Sequence, residues 1–199
     1  MKFVVRLCAV MLFLMAGSAG AQELKYKIDH VLGKPDAPVT IVEYASLTCG
    51  HCATFHKNVL PKLKSEWIDT GKAKLVYRDF PTGPKNLSVG ASMINHCAQP
   101  EFYFRLLSVL MESQESWMTS GNPLVELKKY AKLAGVSSEK VDACLKDQTL
   151  ASAIEERAVD AHRKYGIEGT PTLLVNGKVV PGGAVSFEEL DKALKAAGK

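Results

Sequence analysis

Two cysteines separated by two residues, Cys49-Gly50-His51-Cys52, lie where a short apolar run gives way to a helical repeat. Val39 to Ala45 (VTIVEYA) is rich in β-branched residues and bounded by Pro38 and Ser46, so it reads as a buried strand interrupted by one acid, Glu43. After the cysteines, Cys52, Phe55, Val59 and Leu63 recur at spacings of three and four, the signature of one apolar helix face. Pro61 falls inside that pattern and predicts a kink, and Gly71 ends it. A strand running into a helix whose first turn carries Cys-x-x-Cys is a thiol–disulfide motif. The unpaired N–H groups and dipole of a helix start favour negative charge, so the Cys49 thiolate should be stabilised. His51 adds a donor or a positive charge near that sulfur. Each effect favours the reduced form and makes the disulfide more oxidising, about 30 mV for each 1.4 kcal/mol.

The same spacing has other readings. Cys-x-x-C can be half of a zinc site, with His56, four residues after Cys52, as a conceivable third ligand. No second Cys-x-x-Cys or His-x₃-His accompanies it. An inert structural disulfide is the third reading, although so small a ring restricts the unfolded chain little.

The remaining cysteines gain meaning from the N-terminus. Lys2 and Arg6 precede the apolar run Leu7 to Ala16, too short to span a bilayer, and Ala19-Gly20-Ala21 follows as a small-x-small cleavage site. Residues 1–21 therefore read as a secretory signal peptide with Gln22 as the first mature residue, and Cys8 is lost with it. The 178-residue mature chain keeps 23 basic and 21 acidic residues, too balanced to argue for nucleic acid. Four cysteines are left in an exported protein, where disulfides persist: Cys49, Cys52, Cys97 and Cys144, which read as two pairs.

Lys74 to Phe80 predicts a second strand. From about Leu87 to Tyr165 the texture is helical, with amphipathic stretches at 87–97, 101–111, 123–134, 138–145 and 149–165, punctuated by Asn122-Pro123 and Gly135. Strands return at Thr172–Val175 and Lys178–Val180 around Asn176-Gly177, a hairpin signal. Ser186 to Glu189 fits a capping box for a last helix bearing Phe187, Leu190 and Leu194 on one face. Neither β/α end closes a core alone, so one sheet with an inserted helical block is expected. The bounds are 22–85 and 165–199 for the two parts of the sheet domain and 86–164 for the insertion. Thr170-Pro171 before the third strand is either a common loop stop or, facing the cysteines, a cis-proline loop that could present a backbone to substrate. His30, His96 and His162 stand in no motif and read as surface or helix-capping residues.

Taken together, Glu43-Tyr44-Ala45-Ser46-Leu47-Thr48-Cys49-Gly50-His51-Cys52 and the later Thr170-Pro171 resemble the DsbA-like thiol–disulfide oxidoreductases, over nearly all of residues 35–199. The resemblance implies an α/β thioredoxin fold with an inserted all-helical domain. It implies that Cys49 is the exposed nucleophile and Cys52 the buried resolving cysteine. His51 would tune the thiolate, and Glu43 would be the buried acid that moves protons to and from Cys52. Thr170 and Pro171 would form the substrate-binding cis-proline loop. A low nucleophile pKa and an oxidising poise are inherited with the family. A structural disulfide between Cys97 and Cys144 is expected, resembling the extra bridge of some α-proteobacterial relatives, with two separately buried thiols as the other reading. The implied protein is a periplasmic monomer without metal or organic cofactor. It would act on reduced or unfolded client proteins and be reoxidised by a quinone-linked membrane partner of the DsbB type. An isomerase or reductase served by a DsbD-type partner is the alternative, and a non-catalytic client- or metal-binding module a more distant one. Two departures bear on the poise: the dipeptide is Gly-His rather than the usual Pro-His, and threonine precedes the proline.

Overall fold

A computed structural model describes residues 28–182 and 186–198. The expected signal peptide and the Gln22 terminus lie outside these residues. Five strands form one sheet: β1 (His30–Leu32), β2 (Val39–Ala45), β3 (Ala73–Asp79), β4 (Thr172–Val175) and β5 (Lys178–Val179), in the order β1-β3-β2-β4-β5. β2 and β3 are parallel, with Glu43 opposite Tyr77 and Ala45 opposite Asp79. On its other side β2 pairs antiparallel with β4, where Glu43 faces Leu173 and Tyr44 faces Thr172. The central strand is thus the one that leads into the cysteines. β1 was not legible as a strand, because three residues are too few to show a period.

Parallel strands need a crossover. Here it is α1 (Gly50–Asn58), α2 (Leu60–Leu63) and a π-helical turn at Lys64–Ile68. The break comes at Val59, just ahead of Pro61, which falls in the first turn of α2 where a missing N–H costs nothing. Gly71, at φ +76°, turns the chain into β3.

Between β3 and β4 lie α3 (Lys85–His96), a short 3₁₀ turn at Pro100–Phe102, α4 (Tyr103–Glu112), α5 (Gln114–Met118), α6 (Pro123–Leu133), α7 (Ser138–Cys144) and α8 (Gln148–Tyr165). Local chemistry sets several of these ends. The Asn122, Ser137 and Asp147 side chains accept N–H groups of the first turns of α6, α7 and α8, and Gly166 closes α8 in the left-handed region. After the Asn176-Gly177 turn and β5, the Ser186/Glu189 capping box opens α9 (Phe187–Ala197).

Two large apolar clusters meet along the sheet. One packs Ile41, Leu75 and Leu173 against Phe55 and Leu63 of the crossover and Leu190 and Leu194 of α9. The other belongs mainly to the helical block, with Leu106, Leu107, Leu110, Trp117 and Leu127, but it also takes in Ala45, Leu47 and Cys52. Fully burying one such leucine stabilises the fold by about 1.5–3 kcal/mol, so the insertion is welded to the end of β2. That end is where Cys49 sits.

Candidate active site

The loop Ser46-Leu47-Thr48 carries the chain from β2 into α1 and is held from three sides. Ser46 Oγ lies 2.8 Å from Ser88 Oγ on α3 and accepts the N–H groups of Thr48 and Thr82 at 3.2 and 3.3 Å. Thr48 Oγ1 lies 3.0 Å from Ser46 Oγ and 3.2 Å from Thr82 Oγ1. From α5, the Gln114 Nε2 donates to the carbonyls of Leu47 (2.8 Å) and Cys49 (3.1 Å). These polar atoms, in a partly dry site, are mutually satisfied. They make the loop a rigid platform shared by the sheet and the helical block.

Cys49 is the N-cap of α1, at φ −92° and ψ 114°, and its Sγ accepts the Cys52 N–H at 3.4 Å. It is half-buried, whereas Cys52 is fully buried. Both are free thiols in this structure. The Thr170–Pro171 peptide is cis, and as a thiol Cys49 donates to the Thr170 carbonyl across 3.3 Å. Thr170 therefore stands directly against the outer cysteine, with Pro171 next to it in the chain.

Hydrogen bonding from the Cys52 thiol, more than any other cause, brings the Cys49 pKa down to about 5. Partial burial opposes the shift; Thr170 and the backbone N–H groups of Cys52 and His51 reinforce it. Burial first, and then the Cys49 sulfur beside it, push the Cys52 thiol far up. One sulfur is made anionic and reachable, the other neutral and hidden. His51 assists through its main chain, and its side chain is exposed on the first turn.

Glu43 is fully buried under this turn. Its carboxylate oxygens lie 3.0 and 3.1 Å from His56 Nε2. His56, weighed from the sequence as a zinc ligand, is committed instead to Glu43. Its spacing from Cys52 is legible in the sequence; its partner is not. Spacing on α1 puts it on the Cys52 face, and only the packing of α1 on β2 brings that face over Glu43. Gln114, Thr82 and Ser88 carried no local signal at all.

Cys97 and Cys144 are bonded to each other, joining the C-cap of α3 to the last residue of α7 with Cα atoms 6.3 Å apart. His30 and His96 depart from the expected surface or helix-capping role. His96 pairs with buried Asp79 at 2.7 Å and its side chain is only 4% exposed, while His30 stacks on buried Tyr103. Neither is a surface residue. The reason is that β1 and α3 close over the β3 edge, a tertiary contact without local pattern. His162, by contrast, sits in the last turn of α8 with Nδ1 3.1 Å from the Ile167 carbonyl.

No helix among the described residues is long and apolar enough to cross a membrane. The thioredoxin family model matches residues 25–196. Disulfide bond formation protein D of Bacillus subtilis is 30% identical over 171 residues, covering 83% of this chain and 75% of that one. A Rickettsia bellii protein named for protein-disulfide oxidoreductase activity is 31% identical over 159 residues, covering 78% of this chain and 61% of that one. The chain spans only 58–64% of the length of five such rickettsial relatives. Among solved structures, alpha-DsbA1 of Wolbachia pipientis superposes with a TM-score of 0.78 at 30% identity, covering 88% of this chain and 93% of that one.

Proposed function

Because the chain belongs to the thioredoxin family, in its DsbA-like group of thiol–disulfide oxidoreductases, we propose that it introduces disulfide bonds into exported proteins through Cys49 and Cys52. The observation that carries this reading is the asymmetry of the pair, an accessible sulfur of depressed pKa before a buried one of raised pKa. In the oxidised protein a client thiolate attacks Cys49 Sγ. The Cys49–Cys52 bond breaks, Cys52 departs and takes a proton, and Cys49 is left in a mixed disulfide. A second client thiolate attacks the client sulfur of that bond. The client disulfide forms and Cys49 leaves as a thiolate, having received with Cys52 the two electrons of the client. A low Cys49 pKa makes it the better leaving group and favours this direction.

Further roles belong to the same proposal. Thr170 and Pro171 hold an extended client backbone beside Cys49, His51 tunes the thiolate, and Glu43 handles the Cys52 proton. Residues 1–21 direct export and are removed, so protein recovered from the periplasm should begin at Gln22. A quinone-linked membrane oxidase of the DsbB type restores the disulfide. The Gly50-His51 dipeptide favours one second reading, an isomerase or reductase kept reduced by a DsbD-type partner. Equilibration with glutathione buffers separates the two. A potential well above the thioredoxin range supports the oxidase, and a thioredoxin-like value sinks it.

A further inference from the structure

The pair beneath the active site contains an unresolved electrostatic balance. The side chains of Glu43 and His56 are 0% and 2% exposed. Because Nε2 lies against both carboxylate oxygens, at 3.0 and 3.1 Å, its proton is donated there. The other ring nitrogen, Nδ1, is buried without a hydrogen-bond partner among the described residues. With Nδ1 bare, a buried carboxylate faces a neutral ring, which is a costly uncompensated charge. With Nδ1 protonated, the charge is paired, but a buried N–H is left without an acceptor. The two costs oppose each other, and an additional negative charge nearby favours the protonated ring.

The redox pair supplies that charge. His56 follows Cys52 by four residues, one turn along the same face of α1. Reduction turns a neutral disulfide into a buried thiol and a Cys49 sulfur that is anionic above about pH 5. Among the described residues, Phe55 and Tyr77 turn ring edges to the imidazole. Tyr77 on β3 stands edge-on with ring centroids 6.2 Å apart, and burial pushes its hydroxyl well up, keeping it neutral. β4 sets Leu173 opposite Glu43, and α4 adds Leu107, Leu110 and Met111 to the cluster of Cys52.

We propose that His56 is a positioning residue that takes up a proton at Nδ1 when the Cys49–Cys52 disulfide is reduced and returns it when the disulfide re-forms. The proposal rests on reading Cys49 and Cys52 as a cycling pair. In the balanced step a dithiol donates two electrons and two protons. Its own S–S bond forms and the Cys49–Cys52 bond breaks. One proton goes to Cys52, Cys49 is left as thiolate, and the second proton goes to His56 instead of to solvent.

The test is ring-¹⁵N-histidine NMR of the full chain, oxidised and then reduced with excess dithiothreitol, across the range where histidine ordinarily titrates. His56→Gln assigns the resonance. The expected result is a higher titration midpoint in the reduced form. Its proton affinity should rise about tenfold, the effect of one charge seven residues along the helix, about 10 Å, at an effective dielectric of about 20. Proton release on reduction, followed by pH-stat, should be smaller for the wild type than for His56→Gln. Equal midpoints in the two redox states, a lower midpoint in the reduced form, or an imidazole that does not titrate overturns the proposal, and the wild-type spectra alone suffice if the variant does not fold. Dithiothreitol reduces the pair whatever its cellular role. A shifted midpoint in a protein of thioredoxin-like potential would therefore sink the oxidase reading and leave this one standing.

Discussion

Cys49–Cys52 and Cys97–Cys144 lie in contact with one apolar cluster, yet they have opposite physical characters. The first pair shares the opening turn of one helix and stands as two thiols, the outer one half-exposed against the Thr170 carbonyl. The second ties two different helices across 47 residues, with Cys97 buried at the end of α3. Closing a ring of four residues restrains almost nothing, so what decides the first bond is the stability of the thiolate that opens it. Closing the longer loop removes a large part of the freedom of the unfolded chain, worth about 4 kcal/mol in the chain-entropy account. Under the proposed function the same chemical bond is thus a reactant at a helix start, whereas between two helices it is a brace. Position relative to backbone dipoles and solvent separates the two roles.

This contrast can be broken by experiment. The largest effect should come from Cys49→Ala, which removes the sulfur proposed to be attacked: oxidation of a reduced, unfolded client should fall about a thousandfold or more. Substantial remaining turnover would move the chemistry elsewhere. The Cys97→Ala/Cys144→Ala double variant should lose about 4 kcal/mol in urea unfolding of the otherwise oxidised protein. Its rate with a small dithiol should stay within a few-fold, and a collapse of that rate would show that the brace also serves the redox site.

The pH dependence sharpens the comparison within the first pair. Alkylation of Cys49 in the reduced protein should be fast at neutral pH and decline as pH falls through about 5, where the thiolate takes its proton. The sign for stability follows. A group whose pKa is depressed on folding favours the folded, reduced protein above its unfolded value, and that contribution is lost as pH falls through about 5. Cys52→Ala removes the largest cause of the depression, so the alkylation midpoint should rise by about one pH unit or more. The smallest effect is expected for Gln114→Leu. The Leu47 carbonyl loses its side-chain donor, whereas the Cys49 carbonyl keeps the N–H groups of Cys52 and Ala53. A cost of about 1 kcal/mol and faster amide exchange at Thr48 and Cys49 should follow.

Much of this was legible one segment at a time. Cys-x-x-Cys between a β-branched run and a helical repeat encodes its own placement, because strand period, helix start and cysteine spacing are all local. The Asn176-Gly177 turn and the Ser186/Glu189 box are equally local, since each is satisfied within four residues. β1 was not, because its partner Tyr77–Leu75 lies more than forty residues away and three residues carry no period. Gln114, Ser88 and Thr82 escaped for the same reason: each is an ordinary polar residue until a distant loop is laid against it.

By itself, then, the order of residues determined the strands and helices around the cysteines, the helical insertion and which cysteine stands at the helix start. Short-range backbone hydrogen bonding and side-chain periodicity suffice for those. Tertiary structure alone decided which groups answer the buried acid and which tie the active-site loop down. Placing His56 over Glu43, Gln114 against Leu47 and His96 against Asp79 depends on how α1, α5 and α3 pack on the sheet. Burial creates a demand for a partner at each of these places, and only the folded chain brings that partner within 3 Å or so.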